Sequence, residues 1–190
     1  MTKPLLSILI PTVPSRALEQ AQLFSHLHDI GGDVPAVEVL SFSDNRRRSI
    51  GAKRQALLDM ARGEYVAFCD DDDWVADQYF AELLPRCESG PDVVTFEQIA
   101  TINGVEGRIV FDATCRVDEP WKPHGIARRR PWHVCAWKRS LAQRGIFTEI
   151  NYGEDAAWVA QVAPLARTTL HIPRVLHYYR HDAKTTLAPA

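Results

Sequence analysis

Residues 63–74 read GEYVAFCDDDDW, and the fold turns on them. Tyr65 to Cys69 is a short apolar run of aromatic and β-branched types, entered through Arg62-Gly63. That composition predicts a strand buried inside a sheet. The run stops at four aspartates, Asp70 to Asp73, so the carboxyl end of the strand presents several negative charges at one point. In open α/β sheets ligands bind at that edge. Neighbouring carboxylates repel one another, and such a cluster is costly unless it is solvated or meets a cation. Mg²⁺ and Mn²⁺, which prefer oxygen ligands, are the natural partners. Two plainer uses stand beside that one: a solvated acidic loop, or Asp72 or Asp73 capping a helix that starts near Trp74.

Working upstream, residues 5–10 form an apolar strand stopped by Pro11. Ser15 is a candidate N-cap for a helix over 16–30, where Leu18, Ala21, Phe24 or Leu27, and Ile30 recur at helical spacing. Gly31-Gly32-Asp33 ends that helix, residues 37–42 read as a second strand, and 44–48 as a basic loop. A second helix spans 49–61, stopped at Gly63. This β-α-β-α-β order predicts right-handed crossovers and a largely parallel sheet flanked by helices. Downstream, a helix is expected over 76–87. A strand from 92–96 runs on through Ile99 into Asn103-Gly104, a strong hairpin signal, with a return strand over 108–111. Residues 115–134 lack periodicity and read as a long functional loop, or as loop plus a short helix. A short helix follows over 136–144, another begins at Glu154-Asp155, strands are expected at 169–172 and 175–179, and 180–190 is a polar tail.

The chain has 190 residues and a net charge of −2, with 46% hydrophobic and 24% charged residues. Those values suit one soluble domain with a full core, and no global charge steers it to nucleic acid or a membrane surface. Arg46 to Arg48 and Arg128 to Arg130 are local exceptions. The cysteines, Cys69, Cys87, Cys115 and Cys135, show no zinc-ligand spacing and read as reduced thiols of a cytoplasmic protein. No stretch has the length of a membrane span, and the N-terminal apolar run is too short for a secretory signal.

Four stretches, in this order, resemble family 2 glycosyltransferases of the GT-A fold: SILIPTVPSR (7–16), GAKRQALLDMARGEYVAFCDDDDW (51–74), YGEDAAW (152–158) and YYRHD (178–182). The resemblance implies a single GT-A domain over 1–190, a mixed, mostly parallel α/β sheet flanked by helices. Residues 1–98 would bind the nucleotide-sugar and 99–190 the acceptor. It further implies a metal-dependent, inverting transfer from a nucleotide-diphosphate sugar, a UDP-sugar foremost, with Mn²⁺ or Mg²⁺ as cofactor. The acceptor would be a glycan, a lipid-linked glycan or a modified nucleic-acid base.

Within that resemblance the D-x-D motif falls on Asp70 and Asp72, with Asp71 between them. Asp70 and Asp71 would face the nucleoside, and Asp72 would hold the metal that offsets charge on the departing diphosphate. Pro11, Thr12 and Arg16 match the place where base and sugar sit. The family's uracil-pairing aspartate aligns with Ser43, and Asp44 is the next residue. Lys53 and Arg54 match a basic pair approaching base or phosphates. Asp155 of the ED pair matches the general base, a carboxylate suited to taking a proton from the acceptor hydroxyl; acids at a helix start are also favoured by the macrodipole alone. Glu154 and Trp158, together with Arg130, Trp132 and His133, lie on the acceptor side. His181 is the expected third metal ligand, with His177 as alternative. The competing classes are a sugar-1-phosphate nucleotidyltransferase, for which PTVPSR lacks the glycine-rich loop, and a non-catalytic DNA- or polysaccharide-binding domain using the arginine triplets.

Overall fold

The computed structural model of the protein describes residues 3–32 and 34–181. Asp33 and the tail beyond His181, including Asp182 of YYRHD, lie outside the described residues. The first half follows the expected order. Strand β1 (Leu6–Thr12) is buried along its whole length; α1 (Ala17–Leu27), β2 (Val37–Ser43), α2 (Ile50–Met60) and β3 (Tyr65–Phe68) follow. β1 pairs in parallel with β2 on one side and β3 on the other, as β-α-β connections give. Ser49 Oγ caps α2 by accepting the Ala52 N–H at 3.2 Å. Ser15 does not cap α1, because a 3-10 turn at Pro14–Arg16 leads into that helix. The aspartates cap no helix either. Trp74–Val75 is a short strand, β4, and helix α3 (Tyr79–Glu88) starts later, after Gln78.

The second half departs from local propensity. Strand β5 (Val93–Ile102) turns at Asn103-Gly104, where φ is 49° and 81°, and returns as β6 (Val105–Phe111). The segment expected as loop carries β7 (Ile126–Arg129), parallel to β6. The segment expected as a helix from 136 opens instead as β8 (Ala136–Lys138), leaving only Arg139–Ala142 for helix α4. The slot between β3 and β5 explains the difference. β8 lies antiparallel to both neighbours, so its backbone bonds on two sides, which outweighs a weak helical preference. Helix α5 (Glu154–Val162) is followed by one long strand, β9 (Thr169–His181), where two were expected. Its pairing with β5 slips register on either side of Glu97, next to Pro173, which has no N–H for the ladder. The sheet order β2-β1-β3-β8-β5-β6-β7, with β9 along β5 and β4, is the mixed α/β sheet expected. It is less parallel than expected: β1–β2, β1–β3, β5–β9 and β6–β7 pair in parallel, and β3–β8, β4–β9, β5–β6 and β5–β8 antiparallel.

One apolar core fills the space between sheet and helices. Trp158 stacks on Phe147 with ring centroids 5.0 Å apart and meets Trp137 edge-on at 5.6 Å. Cys69, Cys87 and Cys135 are buried thiols, and Cys115 is free as well. No helix among the described residues is long and apolar enough to cross a membrane.

Candidate active site

Four backbone ends converge at one edge of the sheet: the ends of β1 and β3 and the N-termini of α2 and α5. Gly51 is what lets α2 come so close to the chain ahead of α5. A Cβ there would sit 1.8 Å from the carbonyl oxygen of Thr148. The loop also supplies α2's first acceptors, Ile150 O to the Gly51 N–H at 3.1 Å and Asn151 Oδ1 to the Ile50 N–H at 3.0 Å. Gly153, at φ 80°, then turns the chain into α5. Its left-handed conformation favours glycine.

Arg54, one turn into α2, joins the two acidic motifs. Its Nη2 donates to Asp70 at 2.9 Å and its Nε to Glu154 at 3.1 Å, while the guanidinium lies 5.3 Å over the Phe68 ring. Burial works to lower the Arg54 pKa, but Asp70, Glu154 and Asp155 together raise it. Asp70 answers in kind: burial would raise its carboxyl, and Arg54 holds it below the ordinary aspartate range. Arg54 and Glu154 are thus buried partners of each other. The sequence matched Arg54 to a basic pair approaching base or phosphates and put Glu154 on the acceptor side; in the fold each is engaged by the other.

The β1 side is a second network. Thr12 Oγ1 donates to Asp71 Oδ2 at 2.5 Å, and one nitrogen of Arg16, Nη1, lies 2.7 Å from Asp71 Oδ1 and 2.8 Å from Asp72 Oδ2. Lys53 Nζ, nearly buried, donates to the Thr12 carbonyl at 2.8 Å and sits 2.6 Å from Asp44 Oδ1. Although burial opposes it, that lysine keeps the Asp44 carboxyl low. Asp44 therefore joins Thr12 and Lys53, whereas Ser43 is exposed. Pro11 is buried in β1, in register with Phe42 of β2.

Asp72 is the aspartate with room around it, its side chain 36% exposed. Burial, then the charges of Asp70 and Asp71, push its carboxyl up to about 6, with Arg16 opposing. Asp73 points inward, accepts the Arg180 N–H at 3.3 Å, and lies 3.5 Å from His177 Nε2. Burial raises the Asp73 carboxyl, with Asp70 and Asp72 adding to it, and burial lowers the His177 imidazole to about 3. β9 runs antiparallel to β4, which is how His177 and Arg180 reach the aspartates. Nothing in the local sequence signals that pairing. His181 follows on the same strand, its ring parallel to Tyr179.

Among the described residues no group of three or more His, Cys, Asp or Glu is arranged to hold a metal. The donor chemistry nevertheless fits a hard divalent ion. Asp72 offers a part-exposed oxygen donor that shares the single charge of Arg16 with Asp71, and Mg²⁺ is commonly held by one or two carboxylates plus substrate phosphates rather than by an all-protein cage.

Asp155, for which the sequence suggested the acceptor side, stands at the start of α5 with Oδ1 accepting the Ala156 N–H at 2.7 Å. Its Oδ2 is 3.6 Å from His133 Nδ1. Burial, then Arg54, lowers the His133 imidazole to about 4, so it is neutral beside that carboxylate. Trp132 is half-buried under Arg129, whose guanidinium lies 5.5 Å over its ring. Two further residues expected on that side are engaged within the protein. Trp158 is 0% exposed in the core, and its indole N–H is spent on the Ala142 carbonyl at 3.2 Å. Arg130 forks onto Asp118 at 2.7 and 3.2 Å. Arg128 is likewise paired with Asp112 at 3.0 Å, which removes most of the second triplet's free charge.

A cavity of 530 Å³ lies elsewhere, on the face of β5 that carries Thr95 and Glu97 rather than Phe96. Of the residues singled out from sequence, Arg128 of the second arginine triplet lines it. Its charges pair among themselves, Arg108 with Glu97 and Arg128 with Asp112.

A mixed sheet of this order flanked by helices is a GT-A fold, and solved structures agree. S. aureus TarS superposes with a TM-score of 0.67 at 16% identity, over 93% of this chain and 36% of that one. Its 1–349 fragment in complex with UDP-GlcNAc gives 0.66 at 14% identity, over 93% and 58%. The sequence profile of Glycosyl transferase family 2 matches residues 28–150, and the chain belongs to that family. It is also 24% identical over 147 residues to "Putative glycosyltransferase EpsH" of Bacillus subtilis (strain 168). That match takes in 70% of this chain and 42% of the relative's length.

Proposed function

We propose that this chain is a metal-dependent, inverting glycosyltransferase that moves a sugar from a nucleotide-diphosphate sugar to an acceptor hydroxyl. One observation carries the reading: Arg54, at 2.9 Å from Asp70 and 3.1 Å from Glu154, ties the strand-end acids to the acidic start of α5. Transfer needs a donor subsite and a base side by side, and that guanidinium fastens the two together. Family membership supports nucleotide-sugar chemistry, and the UDP and UDP-GlcNAc complexes of TarS make a UDP-sugar the donor to test first.

The donor side is drawn from residues 1–98. Pro11, Thr12, Asp44 and Lys53 border the nucleoside, with Asp70 and Asp71 at the strand end, and Arg16 reaches the diphosphate. Asp72, with His181 as a second ligand, would hold Mn²⁺ or Mg²⁺. The chemistry such an ion supplies is neutralisation of charge on the departing diphosphate. Residues 99–190 supply the acceptor side. Asp155 takes the proton from the attacking hydroxyl at Oδ2, with His133 and Trp132 bordering the acceptor. The acceptor class is a glycan, a lipid-linked glycan or a modified base.

The test is a panel of nucleotide-sugars incubated with Mn²⁺ and with Mg²⁺, scored for release of nucleoside diphosphate with and without acceptors. Metal-dependent release from one donor supports the reading. Silence across the whole panel, from protein that is folded, opposes it.

A further inference from the structure

The contact of Arg16 with two aspartates bears on how the donor site is kept before a donor arrives. A single nitrogen, Arg16 Nη1, is 2.7 Å from Asp71 and 2.8 Å from Asp72. The two halves of this bridge differ. Asp71 is 4% exposed and is also held by Thr12 at 2.5 Å, so the Arg16–Asp71 half is anchored. Asp72 is far more exposed and is the aspartate that faces open space. The Arg16 side chain is itself only 19% exposed, so it lies over the aspartates rather than in bulk water.

We infer that Arg16 is a resident counter-ion of the cation site: it occupies Asp72 in the empty protein and passes to the donor's diphosphate when a divalent cation takes Asp72. This inference rests on the proposed function. The geometry supplies a pivot. A guanidinium carries five N–H donors in a rigid fork, so Arg16 keeps Asp71 through one of them while others turn to phosphate oxygens. Charge supplies the reason for the exchange. In the empty site one positive charge serves two carboxylates; with cation and diphosphate present, Asp72 meets a divalent charge and the freed guanidinium meets an anion that suits its fork. Arg16 therefore opposes binding of metal alone and favours metal and diphosphate arriving together, a coupling that must be reciprocal.

Mn²⁺ binding to the donor-free protein, read by the loss of free-ion electron paramagnetic resonance signal, tests this without any turnover. Arg16→Gln keeps a hydrogen bond to Asp71 but removes the charge. It is expected to bind Mn²⁺ alone about 3- to 10-fold more tightly and UDP in saturating Mn²⁺ about 10-fold more weakly. Arg16→Lys retains the charge and is expected to bind Mn²⁺ alone like the parent, separating charge from shape. Asp72→Asn serves to tell the two ideas apart. Should it abolish Mn²⁺ binding while Arg16→Gln binds Mn²⁺ no more tightly than the parent, the counter-ion role is overturned and the metal assignment stands. Should Asp72→Asn bind Mn²⁺ as the parent does, both fall.

Discussion

Arg54 donates to Glu154 at 3.1 Å across 100 residues of sequence, and the same guanidinium reaches Asp70 at 2.9 Å. Neither acid could be left buried without that cation. Breaking a buried ion pair strands an uncompensated charge and costs about 3–5 kcal/mol. Arg54→Ala is therefore expected to lower unfolding free energy by about that amount in urea titrations, and to abolish UDP binding in whatever protein remains folded. An Arg54→Ala protein as stable as the parent would show the bridge to be incidental.

Asp155→Asn separates chemistry from binding. The amide preserves size and cannot accept the acceptor's proton. Nucleoside diphosphate affinity should stay within about two-fold, while transfer falls by about 10²- to 10⁴-fold, the usual worth of a positioned base. The check is calorimetry with UDP beside a transfer assay, and undiminished transfer removes Asp155 from the role.

The Asp72 carboxyl is pushed up to about 6, by burial first and then by Asp70 and Asp71, and this fixes a pH dependence. Folded protein holds this proton more tightly than unfolded protein. The group's stabilising contribution is thus fully present below the ordinary aspartate value and is lost as pH rises through about 6. Asp72→Asn, which stays neutral, should melt higher than the parent at pH 8, with the gain vanishing toward pH 3.5. Cation binding needs the ionised form and runs the other way, weakening as pH falls below about 6. Thermal melts from pH 3.5 to 8 read the first trend, and Mn²⁺ titrations the second.

Trp158 gives a prediction opposite to the one its place in YGEDAAW invites. Sealed against Phe147 and Trp137, it acts through packing. Trp158→Ala is expected to cost about 3–5 kcal/mol of stability. Trp158→Phe, which keeps most of the stacking, should leave acceptor preference unchanged. A shift in acceptor preference in a fully folded Phe variant would return Trp158 to the acceptor site.

Local pattern carried the first half of the molecule. The apolar run before Asp70, the helix from about Ser49 and the β-α-β-α-β order all rest on short-range rules, and β1, α2 and β3 appear where those rules put them. Thr12, Lys53 and Asp71 likewise meet at the strand ends, as that topology requires. Long-range pairing was illegible. β8 becomes a strand only because β3 and β5 leave a slot for it, and His177 faces Asp73 only because β9 returns along β4. Side-chain partners escaped for the same reason. Whether Arg130 is free or locked to Asp118, and whether Glu154 looks outward or toward Arg54, depends on residues distant in sequence.

The most direct measurement is a calorimetric titration of UDP into the protein with Mn²⁺, repeated with the metal chelated and again with Asp72→Asn. The account predicts saturable 1:1 binding with Mn²⁺ that weakens at least about ten-fold on chelation or in the variant, because the diphosphate then faces the aspartates without a compensating cation. Equal affinity under all three conditions would contradict it.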